Sequence, residues 1–412
     1  MKKCISLVLA LITVLAFTSC TSNDSHKDSA VNKDYITVGR DDPIYFGDLS
    51  NIVNAEDGYY FIQDGWNILY YFDKGSKKVV PVCNMPNCDH NNKSCNAYLG
   101  DIRHYSGLWY YDENIYVIGF SNGIMGLYQI SKDGSSRKRC CDFLETGNEY
   151  SIKATVHRGF AYFSIDRGDS KAQVYQVELK ASAKPKLIFE FEGINAFVEF
   201  VRGYNENVYI AVSYYEDETY ETSTNSLYSY SIPEDTYNKI PIDDLCGQWT
   251  FIDDNTLIYR TLNSVMKYDF KTEKSTEFYN EPLMPSYDGR YIYLDNDANL
   301  FREMAQSGDE YQLDKRSIKV VDLSGNLIDE IKIETDGLCY FGDEDYLFID
   351  INEKISASGE GDTEIQIKND DSIHVIGTDS ITSLMAFDKS QIGTDKHDFT
   401  LLKKWDFDSI IG

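Results

Sequence analysis

Along most of the chain, apolar and polar residues alternate with period two in short runs. VYIAVSYY (208–215) and SIKVVDL (317–323) show the pattern most cleanly. Side chains of a strand point alternately to its two faces, so this period predicts half-buried β-strands. The runs follow one plan: an aromatic-rich strand, a turn, then a second strand that ends in Tyr, a polar pair and a basic turn. Gly58–Val82, Leu108–Cys140, Gly159–Phe191 and Asn255–Tyr279 each carry it without interruption. Asn207–Tyr215 pairs with Ser226–Ile240, and Arg290–Phe301 with Ser317–Ile333. Asp345–Ile355, Ser383–Ser390 and Asp398–Trp405 make the last unit. Turn formers punctuate the runs, as in Asp73-Lys74-Gly75 and Lys132-Asp133-Gly134.

Strand units that recur about every 40 to 50 residues are the signature of a β-propeller. The expected fold is therefore all-β, a propeller most simply of seven blades, with six or eight as alternatives. A strand from the N-terminal end, Tyr35–Val38 or Ile44–Phe46, is a candidate to complete the last blade and close the ring. Polar insertions interrupt the fourth unit (Tyr215–Asn225) and the last (Ser356–Asp371), and read as loops.

The first residues do not belong to this pattern. Lys2 and Lys3 precede an apolar run, Ile5–Phe17, too short to span a bilayer comfortably. Thr18 and Ser19 are small and Cys20 follows, the layout of a secretory signal. Phe17-Thr18-Ser19-Cys20 resembles a bacterial lipobox, with Phe17 where Leu is usual. The resemblance implies lipidation of Cys20 and cleavage before it. Residues 1–19 are then a lipoprotein signal peptide, 20–34 a polar lipid-anchored tether, and 35–412 one propeller domain. The expected location is the extracytoplasmic face of a bacterial cell membrane, held by the lipid anchor alone.

Composition narrows the partners. Lys and Arg number 39 against 67 Asp and Glu, a formal charge of −28. Phosphate backbones need a basic face, so nucleic acid is excluded as a partner. Tyrosine is abundant, 32 residues against 8 Pro, which suits pleated surfaces.

Cysteine supplies the candidate chemistry. VCNMPNCDHNNKSC (82–95) gathers Cys83, Cys88, His90 and Cys95. Three thiolates and one imidazole are an accepted set for structural zinc, the only cofactor the sequence suggests. A single residue separates Cys88 from His90, a spacing that strains joint ligation of one ion. The same cysteines suit a disulfide staple: Cys83 or Cys88 to Cys95, or to Cys140 or Cys141 in the next unit. Reduced or redox-active thiols are the third reading. In the vicinal pair Cys140-Cys141, one side chain is expected to point inward and the other outward. Cys246 and Cys339 read as buried core residues. Asp295-Asn296-Asp297 begins like a calcium loop but lacks the turn glycine and closing glutamate, and so reads as a turn. His104 and His157 read as satisfied strand-end residues.

The repeats and the phrase VCNMPNCDHNNKSCNAY (82–98) resemble those of β-propeller lipoproteins of clostridia-type Gram-positive bacteria. That resemblance implies location and fold rather than activity. The function expected is a non-enzymatic envelope lipoprotein that binds or scaffolds an extracellular peptide, glycan or protein. A propeller enzyme acting on polysaccharide is the first alternative and would need paired carboxylates at one face. A transporter-associated solute-binding lipoprotein is the second, although such proteins alternate helices with strands.

Overall fold

The computed structural model describes residues 31–42, 50–62, 67–100, 102–121, 124–145, 152–219, 223–297, 316–333, 337–354, 364–367, 373–376 and 380–405. Seven four-stranded antiparallel sheets form a ring, the seven-bladed propeller that the repeats predict. Blade 1 is β1 to β4 (Ile52–Ala55, Gly58–Phe61, Tyr70–Asp73, Lys78–Pro81). Blade 2 is β5 to β8 (Arg103–Tyr111, Asn114–Ser121, Ile124–Ser131, Arg137–Glu145). Blade 3 is β9 to β12 (Ile152–His157, Phe160–Ile165, Lys171–Glu178, Lys186–Glu192). Blade 4 is β13 to β16 (Ile194–Tyr204, Asn207–Tyr215, Ser223–Ser231, Thr236–Lys239). Blade 5 is β17 to β20 (Trp249–Asp253, Thr256–Arg260, Val265–Asp269, Lys274–Tyr279). Blade 6 is β21 to β24 (Met284–Tyr287, Ile292–Asp295, Ser317–Val321, Leu327–Lys332). Blade 7 is β25, β26, β29 and β30 (Gly337–Tyr340, Tyr346–Lys354, Ser380–Asp388, Phe399–Trp405). The hairpin β27–β28 (Glu364–Ile367, Ile373–Ile376) lies in the insertion between β26 and β29.

Local sequence explains the hairpins. Asp112 and Glu113 join β5 to β6 with φ of 47° and 60°, and Arg158 and Gly159 join β9 to β10 with 48° and 79°. Two successive positive φ values make the turn whose twist matches that of paired strands. Burial then falls from the inside outward. All five residues of β18 are buried, whereas all four of β16 are exposed. Lysine-bearing outer strands such as β16 and β20 protect the open edges.

Tyrosine earns its abundance between blades, where the ring packs and the hydroxyl reaches a polar neighbour. Tyr59 of blade 1 meets Phe348 of blade 7 edge-on at 4.6 Å. Tyr110 of blade 2 donates to Glu56 of blade 1 at 2.7 Å, and Tyr60 of blade 1 to the Lys132 carbonyl of blade 2 at 2.9 Å.

The ring closes differently from expectation. Blade 7 takes all four strands from the C-terminal part of the chain, so no N-terminal strand is needed. Polar contacts join it to blade 1 instead. Lys74 lies 2.5 Å from Asp343 and 2.7 Å from Asp345, and Tyr59 donates to Asp343. Between blades 6 and 7, the buried Lys389 ammonium donates to Asp288 at 2.7 Å and to the Phe341 carbonyl at 2.6 Å.

Tyr35–Val38 is not a strand, and Ile44–Phe46 lies outside the described residues. Residues 32–42 form an irregular strap across the ring. The Asn32 carbonyl accepts from Tyr111 in blade 2 at 2.6 Å. Asp41 pairs with Arg158 of blade 3 at 2.7 Å. Asp42 accepts from the Thr250 hydroxyl and the Phe251 amide of blade 5 at 2.9 and 3.0 Å. Arg40 donates to the Tyr287 carbonyl of blade 6 at 3.0 Å. These partners are side chains and strand-end groups rather than a ladder, which is why alternation could not foretell the segment's role.

Candidate metal centre

The loop from β4 to β5 carries the cysteine phrase. Its return leg is fixed to blade 1: Leu69 N–H donates to the Ala97 carbonyl at 2.9 Å, and Leu99 N–H to the Asn67 carbonyl at 2.7 Å. Its other side meets the β7–β8 turn of blade 2, where Asn96 donates to the Gly134 carbonyl at 2.9 Å and Arg137 to the Tyr98 carbonyl. Gly134 has φ of +70°, and a Cβ there would lie 2.3 Å from the Val82 carbonyl oxygen, so only glycine permits the approach. Cys95, Ala97 and Leu99 belong to the apolar core shared by blades 1 and 2, and Cys83 and Cys88 pack against it.

This loop brings Cys83, Cys88, His90 and Cys95 together, with their ligand atoms all within 4.8 Å of one another. His90 Nδ1 stands 3.3 Å from Cys95 Sγ. The one-residue spacing of Cys88 and His90 does not keep their ligand atoms apart. Asn87 and His90 adopt φ of 56° and 55°, and these left-handed turns bring both side chains to one side. Each sulfur also has a backbone partner two residues on. Met85 N–H donates to Cys83 at 3.4 Å, and the amides of His90 and Ala97 donate to Cys88 and Cys95. Amides aimed at sulfur favour thiolate, and the His90 amide is the main cause holding the Cys88 thiol below its ordinary range. Burial dominates at Cys95 and pushes its thiol up to about 12.

The donor set fits a tetrahedral metal. Two thiolates bound to one zinc stand about 3.8 Å apart, from Zn–S bonds of about 2.3 Å at the tetrahedral angle. The four ligand atoms already occupy a volume of that size. A Cys3His set could thus hold a structural metal such as zinc.

The other candidates lie apart from this cluster. Among the described residues, Cys83, Cys88 and Cys95 are not joined in a disulfide. Cys140 and Cys141 are both buried, against the expectation of one inward and one outward. A β-bulge explains it: Leu127 pairs with Cys141 and the adjacent Tyr128 with Arg139, so Cys140 is the extra residue. Cys339 is buried as expected, but Cys246 is only half-buried. His157 is buried at the end of β9, where its Nε2 donates to the Asn205 carbonyl at 2.7 Å while its Nδ1 has no hydrogen-bond partner, so the expectation of a satisfied residue holds for one ring nitrogen only. Asp295 and Asp297 turn inward to Arg316, at 3.5 and 3.4 Å, rather than outward to an ion. Cys20 lies outside the described residues. Arg40, Asp41, Asp42 and Lys389 were not foreseen, because isolated charges in irregular segments carry no periodic signal.

No protein-family model matches the chain, and no curated protein matches it. Solved structures do align. An oligogalacturonate lyase in complex with manganese is 7% identical with a TM-score of 0.43, over 60% of this chain and 72% of that one. The uncharacterized protein lmo1340 from Listeria monocytogenes EGD-e is 7% identical with a TM-score of 0.44, over 71% and 79%. A prolyl endopeptidase is 10% identical with a TM-score of 0.47, over 90% of this chain and 50% of that one. This chain therefore spans about half the endopeptidase's length. Likeness at this level is one of fold and carries no argument about activity.

Proposed function

We propose that this protein is a lipid-anchored β-propeller of the bacterial cell envelope. It binds or scaffolds an extracellular peptide, glycan or protein without turning it over, and its loop at 82–95 holds a structural zinc. The single observation that carries the metal reading is the convergence of Cys83, Cys88, His90 and Cys95 within 4.8 Å.

The division of labour follows from the residues. Cys20 carries the lipid, and the polar residues that follow it give the tether its reach. Cys83, Cys88, His90 and Cys95 would hold the ion, which in a four-ligand site supplies rigidity and no open coordination position. Asn96, Gly134 and Arg137 transmit that rigidity to blade 2. The non-enzymatic reading gains support at the strap. Asp41 and Asp42 are the carboxylates beside Trp109 and Tyr110, yet each is engaged by an arginine, at 2.7 and 3.1 Å. Carboxylates committed in this way hold the strap and are poorly placed to serve as an acid–base pair.

The test uses the mature protein. Thiol titration under denaturing conditions and elemental analysis should give about one zinc per chain with the three loop thiols reduced. No metal together with loss of those thiols to disulfides overturns the metal reading. Palmitate labelling should depend on Cys20; incorporation that survives Cys20→Ala overturns the anchor.

A further inference from the structure

Where the strap begins, a groove of about 150 Å³ opens between blades 3 and 4. Lys33 and Asp34 of the strap border it. Arg158 and Phe160 come from the β9–β10 hairpin of blade 3, Glu206 from the β13–β14 turn of blade 4, and Ile232 and Pro233 from the turn after β15. Phe160 and Ile232 are half-buried against the core shared by blades 3 and 4, so the groove has an apolar lining.

The four charged side chains along it are not equivalent. The two cations face carboxylates outside the groove: Lys33 lies 3.5 Å from Glu178, and Arg158 2.7 Å from Asp41. Asp34 and Glu206 are exposed, and among the described residues neither carboxylate has an ion-pair or hydrogen-bond partner. The uncompensated charge of the groove is therefore negative, in a chain whose formal charge is −28. An anionic ligand would add to that charge, and an apolar one would leave both carboxylates to water. A cationic head on an aliphatic stem matches the carboxylates and the apolar lining together.

The chain itself displays this mode of packing. Lys33 lays its stem against Gly159 and sets its ammonium 4.5 Å from the centre of the Phe160 ring. With about 10–15 Å³ for each water-sized space, the groove offers roughly ten of them, enough for the four-carbon stem and head of a further lysine.

We propose that this groove docks a lysine- or arginine-bearing segment of an extracellular peptide or protein. One basic side chain lies along Ile232, Pro233 and Phe160, beside Lys33, and directs its charge to Glu206 and Asp34. The assignment rests on the ligand-binding reading above and gives that ligand a chemical class.

The test is fluorescence anisotropy on the full mature protein with a short labelled peptide of alternating lysine and glycine. The lysine peptide should bind saturably, and its counterparts with norleucine or glutamate in place of lysine should not. Glu206→Gln and Asp34→Asn should each weaken binding about threefold, the scale of a solvent-exposed ion pair, and the double variant about tenfold. Glu277→Gln, an exposed change on β20 of blade 5, should leave it unaltered. No binding of the lysine peptide, or equal binding of the norleucine or glutamate peptide, overturns the proposal. An equal loss in Glu277→Gln overturns it too, by showing diffuse attraction to an acidic surface. Self-association in sedimentation that Glu206→Gln abolishes would give the groove to a second copy and overturn the peptide assignment. A protein that captures an extracellular partner equally well with Glu206→Gln and Asp34→Asn loses this site and keeps the scaffold reading.

Discussion

His90 Nδ1 lies 3.3 Å from Cys95 Sγ, and Cys95 is fully buried in the core shared by blades 1 and 2. The ligand cluster is therefore not an appendage; one of its members is a core residue of the ring. A metal bound here should stabilise the propeller itself. At a free zinc concentration a hundred times the dissociation constant, linkage adds about 2.7 kcal/mol. Chelation should lower the unfolding midpoint of the wild type, and Cys88→Ser should abolish both the metal and the response to chelator. Equal unfolding curves with and without chelator would refute this.

The strap is tested at Asp42, which is 1% exposed and accepts from Arg40, Thr250 and Phe251. Asp42→Ala leaves a guanidinium, a hydroxyl and an amide without their shared acceptor. Breaking a buried ion pair from one side costs about 3–5 kcal/mol. Denaturant unfolding should show a loss of that order, and limited proteolysis should cut within residues 32–42. A strap that stays protected in the variant would mean that its other contacts suffice.

Lys389 and Asp288 lock blades 6 and 7, with side chains 2% and 1% exposed. Burial lowers the Lys389 ammonium from its ordinary range, opposed chiefly by Asp288. Lys389→Met should cost about 3–5 kcal/mol by stranding the Asp288 carboxylate. Adding Asp288→Asn should recover part of that loss, because the stranded charge is gone and an amide can still meet Tyr293. A double-mutant cycle measured by urea unfolding checks it; strict additivity would show that the two residues do not act as a pair.

Blade identity was legible because strand pairs and turns recur along the chain; in β14 the expected half-buried face is absent, since all of 208–213 are buried between neighbouring blades. The cysteine cluster was legible as composition but not as geometry. Spacing strains joint ligation by Cys88 and His90 without forbidding it, and only the fold, with positive φ at Asn87 and His90, shows that their ligand atoms lie in one cluster. The orientation of Cys140 was hidden for the opposite reason: a bulge shifts the parity of β8, and parity is what alternation assumes. The strap was least visible. Arg40-Asp41-Asp42 looks like solvated polar sequence until Arg158, Thr250 and Tyr287 arrive from three other blades.

Two buried groups give stability opposing dependences on pH. Burial raises the Asp295 carboxyl from 3.8 to about 6, with Arg316 only partly offsetting it. Between those values the folded state holds the proton that the unfolded chain has released, so stability falls as pH rises from about 4 to about 6. Burial lowers His157 from 6.5 to about 3. Between those values the unfolded chain binds a proton that the folded state refuses, so stability falls as pH drops from about 6.5 toward 3. Each slope is at most about 1.4 kcal/mol per pH unit, and the two nearly cancel where they overlap. Single variants should separate them. The stability of Asp295→Asn relative to wild type should climb as pH rises from about 4 to about 6, then level off. That of His157→Asn relative to wild type should climb as pH falls below about 6.5. Urea unfolding at half-unit steps from pH 4 to 7 measures both differences. A flat difference for either variant would mean that its group titrates alike in the folded and unfolded chain, and is less deeply committed to its buried partner than the structure indicates.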